Sequence, residues 1–419
     1  MEARRSYTAP PAINRYSSSA LLVGLVALAL AIVVSFVAPQ EHIPGAVQFF
    51  RAYLVAYIFC TGLAVGSLAW LMLQHMTGGG WGLVIRRPLE AATRTIPLMA
   101  LLFIPLAVSL FMHPNGESLY EWSDPAKVAH DPALQHKSVY LNPLFFIIRA
   151  FIYFLVWGVL AYLMNKWSLE QDHTGDPRIR RRMQDVSGPG VLLFGFTVTF
   201  AAMDWGMSLE PHWFSTIYGL IIMAGWGLSS LAFMIVVLTL LDGQAPMEGV
   251  YAPLHYHDLG KLLLAMVMLF AYFAFSQFLI IWSGNLPEEI PFYLRRLRGW
   301  WQYVGLAIVL FHFALPFALL LSRGLKRHGR TLRNVAILML VMRVVDLIFI
   351  IAPAAYQDTA EPSGIHWQDL LTMTAASVGL FGIWLWYYFG ELAKRPLLPI
   401  GAPDLEKSLE AAAASTDHH

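Results

Sequence analysis

The stretch LLVGLVALALAIVVSFVA, residues 21–38, decides the fold class of this chain, because it is apolar over its whole length and carries no charge. About 20 mainly apolar residues are needed for a helix to cross the ~30 Å hydrocarbon core of a bilayer. The stretch does not alternate apolar and polar residues, as a strand of a membrane barrel does. Of all 419 residues, 57% are hydrophobic and only 13% are charged, against roughly a quarter charged in soluble domains. The sequence therefore predicts an all-α integral membrane protein.

Similar apolar windows, separated by polar or Pro/Gly-rich breaks, recur along the chain and predict ten transmembrane helices. The predicted spans are approximately 19–38, 49–75, 88–111, 143–165, 188–207, 215–241, 257–282, 300–322, 331–353 and 366–392. They make one ten-helix transmembrane domain over residues 19–392, between an N-terminal tail at 1–18 and a C-terminal tail at 393–419. An even number of spans places both tails on the same side of the membrane.

The loops that share a side with the tails are predicted to be cytoplasmic, because cytoplasmic loops carry an excess of Lys and Arg. That side collects Arg4, Arg5, Arg15, Arg86, Arg87, Lys166, Arg178, Arg180, Arg181, Arg182, Arg323, Lys326, Arg327, Arg330, Arg333, Lys394, Arg395 and Lys407, whereas Lys127, Lys137, Arg295, Arg296 and Arg298 fall on the other. The first apolar run is long enough to span and lacks a clear cleavage site, so we interpret it as a membrane helix rather than a signal peptide.

Net charge and cysteine content exclude several classes of function. The formal net charge is +1, which gives no indication of a nucleic-acid partner. Cys60 is the only cysteine, so the chain alone forms neither an intrachain disulfide nor an all-cysteine iron–sulfur site. No HExxH, GxxxxGK[ST] or GxSxG pattern occurs, and no metal site is predicted. His312 alone lies deep in a span, which disfavours a bis-histidine haem and favours a hydrogen-bonded core histidine.

Ionisable side chains inside a bilayer cost at least ~2.5 kcal/mol each on insertion scales, so those within the predicted spans are functional candidates. They are Arg51, Arg94, Arg149, Asp204, Asp258, Lys261, His312, Arg343, Asp346 and Glu391. Arg51, Arg94 and Glu391 lie near span ends, where snorkelling to the headgroups explains them. Arg343 and Asp346 lie three residues apart near the middle of the ninth span. They form either a structural ion pair or a step on a proton path.

The seventh span carries a polar stripe at helical spacing. Asp258, Lys261, Tyr272 and Ser276 fall on one face, next to His257. This stripe is either a proton half-channel from the cytoplasmic side or a polar seam between two helices.

Aromatic and ionisable residues also gather near the external end of the fifth span. Asp204 and Trp205 are followed by His212 and Trp213. A carboxylate, a histidine and flat apolar walls are the ingredients of a quinone pocket, whereas Trp is also typical of the membrane interface. The polar external segment 112–142 favours a docking surface.

Two runs resemble one membrane-protein family closely. They are AMDWGMSLEPHWFSTIYG at 202–219 and HDLGKLLLAMVMLFAYFAFSQFLIIWSGNLPEEIPFY at 257–293. Both resemble the ActF family, whose members are membrane subunits of alternative complex III. The ActF family is in turn similar to the NrfD-like (polysulfide reductase membrane subunit) family. The resemblance implies two four-helix bundles, here helices 2–5 and 6–9, flanked by helices 1 and 10.

The resemblance also implies a bacterial inner-membrane location and a set of partners. These are a sister NrfD-like subunit ActC, an iron–sulfur subunit ActB, multihaem cytochrome c subunits and small membrane anchors, with a cytochrome oxidase as a further optional partner. Electrons from quinol, either menaquinone or ubiquinone, would pass to the iron–sulfur and haem c groups of those partners, and this chain would hold no redox centre. For the buried charges, proton translocation or structural support ranks above quinol oxidation. A secondary transporter and a purely structural scaffold remain the alternatives.

Overall fold

The computed structural model describes residues 7–39, 43–248, 250–356, 366–402, 405–406 and 409–410. The described residues form helices, turns and loops, with no strand among them. Ten helical segments in this part of the chain are long and apolar enough to span a membrane. We number them α1 (Ala12–Val37), α2 (Gly45–Thr77), α3 (Gly80–Ser109), α4 (Pro143–Thr174), α5 (Pro177–Leu209), α6 (Tyr218–Leu241), α7 (Pro253–Gly284), α8 (Trp301–Leu321), α9 (Gly329–Ala354) and α10 (Trp367–Ala393). The predicted all-α multi-span fold is confirmed.

Segments α4 and α5 continue well beyond their predicted ends. They contain 32 and 33 residues, so each is about 48 Å long, whereas the hydrocarbon core is only ~30 Å thick. The turn between them is short, because Gly175 ends α4 in the left-handed conformation and the Asp176 side chain caps α5 by accepting from the Arg178 backbone N–H at 2.8 Å. Hydropathy marks only the apolar part of such a helix, so the polar extension was predicted as a loop.

The ten segments pack as two four-helix bundles. In the first bundle, α2 packs against α3 and α5, and α4 packs against the same two neighbours. In the second bundle, α6 packs against α7 and α9, and α8 packs against the same two neighbours. Segments α2 and α6 join the bundles, and α10 packs on α2 and α1 at the side. This is the arrangement that the family resemblance implied.

Close packing of α1 on α10 depends on glycine. A Cβ atom at Gly24 would lie 2.9 Å from the carbonyl oxygen of Gly379, so the two backbones approach more closely than any larger residue allows. Such small-residue contacts are typical of helix pairs in membranes. They hold α1 against the bundles although most of its other residues face outward.

The described parts of both tails lie on the same face of the protein. The Leu397 backbone N–H donates to the Tyr7 carbonyl oxygen at 2.7 Å, which ties the two tails together. We call this side the terminal face and the other side the opposite face. The predicted cytoplasmic residues Arg4, Arg5 and Lys407 lie outside the described residues.

Segment 112–142 forms a folded cap on the opposite face of the first bundle. Asp124 and Asp131 cap the short helices Pro125–His130 and Pro132–Lys137. Tyr120 is buried, and its hydroxyl donates to the Trp205 carbonyl oxygen at 3.0 Å. Burial raises the pKa of Tyr120 well above its usual value, so the phenol stays a neutral donor at physiological pH. Docking of a partner on this cap stays a prediction.

Candidate functional site: buried ion pairs of the membrane domain

The Arg343–Asp346 pair lies at the middle of α9, as the three-residue spacing predicted. Arg343 Nη1 donates to Asp346 Oδ2, and both side chains are buried. The guanidinium lies directly against α6, where a Cβ atom at Gly225 would be 2.2 Å from Arg343 Cζ. Arg343 Nε and Nη2 have no hydrogen-bond partner. The two charges of the pair balance, but two of the three guanidinium nitrogens have no partner.

His312 lies at the same depth, in α8. Residues Ile308–Ala314 form a π-helical turn, a wide turn that often marks a functional position. The imidazole is fully buried and packs on Phe270 of α7, with ring centroids 4.6 Å apart. Neither ring nitrogen has a hydrogen-bond partner among the described residues, so no protein group supplies the hydrogen bond that the sequence predicted for this histidine.

Asp204 ends α5 near the opposite face and is held by two neighbours from α4. Arg149 donates from Nε and Nη2 to the two carboxylate oxygens at 2.8 and 2.9 Å, and the Tyr153 hydroxyl donates at 2.7 Å. The Arg149 guanidinium also lies 3.8 Å from the ring centroid of Tyr140. A bidentate Arg–carboxylate pair fixes the orientation of both side chains and also balances their charges. Asp204 is thus held by three hydrogen bonds from side chains of α4.

The other three candidates for a quinone pocket lie in different surroundings. Trp205 is buried among aromatic rings of the first bundle, including Tyr57 and Phe154. Trp213 stacks on Phe292, with ring centroids 3.9 Å apart. His212 is half exposed, and its Nε2 lies 2.9 Å from Asp131 Oδ2. Trp205 shares one neighbour with Asp204, because Tyr153 donates to the carboxylate and its ring lies 6.3 Å from that of Trp205, whereas His212 and Trp213 have other partners.

A second carboxylate on the opposite face, Glu210, was not predicted as a site residue. It pairs with Arg295 and with Arg296, whose Nη2 lies 2.7 Å from Glu210 Oε1. Arg296 is fully buried and also donates to the carbonyl oxygens of Phe349 and Ile350 at the end of α9. Burial lowers the pKa of Arg296, and the Glu210 carboxylate opposes that shift. These contacts explain why the loop between α7 and α8 is basic, because Arg295 and Arg296 bind inward to Glu210.

The largest polar network lies at the terminal face of the first bundle, and we call it the Glu90 cluster. Its members are Arg86, Arg87, Glu90, Arg94, Asn165, Ser168, Gln171, Asp172, Glu391 and Arg395. Glu90 is fully buried and accepts from Arg86 Nε at 3.1 Å, from Ser168 Oγ at 2.5 Å and from Arg87 Nη1. Arg87 also pairs with Asp172 of α4. Within this set, four guanidiniums face three carboxylates.

All three predicted snorkelling positions belong to interhelical ion pairs instead. Arg94 Nε of α3 donates to Glu391 Oε2 of α10 at 2.9 Å, and Arg51 Nη2 of α2 donates to Asp369 Oδ1 of α10 at 2.8 Å. Arg51 is only 2% exposed. The snorkelling interpretation is therefore wrong for Arg51, Arg94 and Glu391, because protein and not lipid headgroup surrounds them.

The polar stripe of α7 lies on the outer surface of the second bundle. Asp258 and Lys261 pair with each other at 3.0 Å, and the Lys261 side chain is 57% exposed. Tyr272 is 65% exposed, Ser276 is partly exposed, and His257 is partly buried at the start of the helix. A half-channel enclosed within this chain does not run along the stripe, because the residues face outward. The stripe also does not seal two helices of this chain.

Chemically, the described residues offer buried carboxylate–guanidinium pairs at three depths of a helical membrane domain, and no three metal-ligating side chains among them lie together. The fold and these pairs define the chain as a multi-span helical membrane protein. No model of a known protein family matches the sequence, and no curated protein is significantly similar to it.

Proposed function

We propose that the chain is a quinone-binding-type membrane subunit of a respiratory quinol oxidoreductase of the alternative complex III class, with a role in proton translocation. Support comes from the resemblance of residues 202–219 and 257–293 to the ActF family and from the two-bundle fold that this resemblance implied. In this role the chain binds next to iron–sulfur and cytochrome c subunits and a sister NrfD-like subunit. Those partners supply the redox centres.

The single observation that carries the proton role is the Arg343–Asp346 pair at the middle of α9. A carboxylate beside a guanidinium in a low-dielectric site is a titratable group whose proton affinity depends on small changes around it. Two further carboxylates flank it toward the two faces, Glu90 in the first bundle at the terminal face and Glu210 at the opposite face. A proton that crosses the domain needs titratable groups such as these carboxylates at intermediate depths.

The proposed location is the bacterial inner membrane, with both termini in the cytoplasm. The support for this orientation is the excess of Lys and Arg in the loops on the side of the tails. In that orientation the Glu90 cluster faces the cytoplasm, and the cap at 112–142 faces the compartment where external subunits would dock.

Purification of the tagged full-length chain in mild detergent tests membership of the complex. We expect haem c absorbance and iron–sulfur subunits in the purified fraction, together with quinol-dependent reduction of the haems. A chain that purifies without these subunits contradicts the proposal, and substrate uptake by the lone chain in liposomes would identify a secondary transporter.

A structural scaffold is the second candidate, favoured by the pairs that fasten α10. Arg51–Asp369 and Arg94–Glu391 both bridge α10 to the first bundle. If the buried charges serve only this purpose, Asp346→Asn lowers the amount of assembled complex, whereas the fraction that does assemble translocates protons like wild type.

A further inference from the structure

The middle of the second bundle contains unpaired polar atoms from two helices, α8 and α9, beside a ring of α7. His312 of α8 and Arg343 of α9 both pack on the ring of Phe270 in α7, His312 with its ring centroid at 4.6 Å and Arg343 with Cζ at 5.7 Å. Both side chains are at most 1% exposed. Two ring nitrogens and two guanidinium nitrogens are left without a hydrogen-bond partner.

Four buried and unpaired nitrogens at one depth are not typical of a packed apolar core. Buried polar groups in native proteins almost always have hydrogen-bond partners, and an unsatisfied buried donor destabilises the fold. Buried water is the usual partner where protein groups fall short, and such a water makes about three hydrogen bonds. A π-helical turn of α8 carries His312 at this point, and the Arg343 guanidinium packs directly against the backbone of Gly225 in α6.

We propose that His312 and Arg343 bind ordered water in the second bundle, and that His312 is the proton-accepting group of this hydration site. The ligand is water rather than an anion. Of His312 and Arg343, only Arg343 carries a full charge, and Asp346 already balances it. The hydration site stands independently of the proposed function, whereas its use in proton transfer rests on it.

The transfer step conserves atoms and charge. When the Asp346 carboxyl holds a proton, its O–H bond breaks as the bridging water accepts that proton and gives another to a ring nitrogen of His312, where an N–H bond forms. The water is unchanged. Asp346 is left as a carboxylate against Arg343, and His312 becomes an imidazolium.

The hydration site is tested by an electron cryo-microscopy structure of the purified chain, with whatever subunits accompany it, at a resolution that shows ordered water. We expect density within hydrogen-bond distance of a His312 ring nitrogen and of Arg343 Nε or Nη2. Apolar side chains closing on these nitrogens, or density for a larger ligand, overturns the proposal.

Stability of two His312 variants gives a second reading. In a hydrated site, His312→Leu removes partners of the water and lowers the unfolding midpoint, whereas His312→Gln keeps a donor and an acceptor and unfolds near the wild-type midpoint. In a dry site, His312→Leu removes two orphaned polar atoms and raises the midpoint, which contradicts the proposal. Phe311→Leu, at a 44% exposed position of the same turn, is the matched control and should leave the midpoint unchanged.

The role in proton transfer is tested in the assembled complex. We expect His312→Gln, which cannot carry a proton at neutral pH, to lower the proton-to-electron ratio to that of Asp346→Asn while quinol oxidation continues. If the structure shows water at His312 but the His312→Gln complex keeps the wild-type proton-to-electron ratio, the proton-accepting role is overturned. If the chain has no redox partners, the proposed function is wrong, but the hydration site can still be tested by the water density.

Discussion

Replacing Glu90 with Gln should destabilise the first bundle more than any exposed change, because Glu90 is the central anion of the Glu90 cluster. The substitution removes one of three carboxylates that face four guanidiniums, so the formal charge of this buried set rises from +1 to +2. The guanidiniums are Arg86, Arg87, Arg94 and Arg395. Gln keeps the shape and one acceptor oxygen but not the charge.

The magnitude follows from the contacts that Glu90 makes. Its carboxylate accepts from Arg86 at 3.1 Å and from Arg87, and each charge-assisted bond contributes about 1.5–3 kcal/mol. Removing one partner of a buried pair costs about 3–5 kcal/mol, because a buried charge is left uncompensated. Since Gln retains one acceptor, we expect a loss near the lower end, about 3 kcal/mol, which shifts the unfolding equilibrium roughly a hundredfold.

The single cysteine supplies the assay. Cys60 is fully buried in α2, so a thiol-reactive fluorophore labels it only when the helices separate. Labelling during a thermal ramp should show Glu90→Gln unfolding well below wild type. Glu170→Gln is the matched control on the same helix as Ser168, because the Glu170 side chain is 41% exposed and its Oε1 lies 3.9 Å from Arg182 Nη1.

A double variant separates the charge effect from general damage. Arg86→Gln in the Glu90→Gln background removes one uncompensated cation, so the double variant should lose less stability than the two single losses combined. The reasoning is refuted if Glu90→Gln unfolds together with the Glu170→Gln control, or if the two losses simply add.

Two further changes test packing in each half of the domain. Gly225→Ala puts a Cβ atom 2.2 Å from Arg343 Cζ and should cost about 1–3 kcal/mol by overpacking, whereas Gly158→Ala, with no neighbouring atom within 4 Å, should not lower the labelling midpoint of Cys60. Arg51→Asp and Asp369→Arg should each destabilise the contact between α2 and α10. The exchanged pair should recover part of the loss, and a double variant no more stable than either single one contradicts the ion pair.

The membrane spans could be predicted from sequence because hydropathy measures the apolar character that a helix needs in the hydrocarbon core. The apolar run at 21–38 is helical up to the end of α1 at Val37, and the α6 span predicted at 215–241 is observed as Tyr218–Leu241. Helix ends that leave the bilayer carry no such signal, which is why α4 and α5 extend beyond their predicted limits.

The burial of ionisable residues could be predicted in part. The Arg343–Asp346 pair followed from helical spacing alone, because both partners lie on one helix. Pairs between helices, such as Arg51 with Asp369, depend on packing that the order of residues does not contain. Hydropathy assigns a charge near a span end to the headgroups and has no means of detecting a protein neighbour there.

The Glu90 cluster was missed because hydropathy assigns its arginines to a loop. Arg86 and Arg87 precede the apolar window and resemble a cytoplasmic loop, yet α3 begins at Gly80 and the extension of α4 covers them. Conversely, the stripe from Asp258 to Ser276 has ideal helical spacing but faces outward. Periodicity finds the face of a helix and does not say what covers it.

The proton-to-electron ratio of the purified complex in sealed vesicles tests the central claim most directly. Quinol oxidation would be started with the wild-type complex and with Asp346→Asn, and proton movement followed with a pH-sensitive dye. A role of the buried carboxylate in translocation predicts that Asp346→Asn still oxidises quinol but moves fewer protons per electron. An assembled Asp346→Asn complex with the wild-type ratio contradicts it and leaves the pair a structural contact.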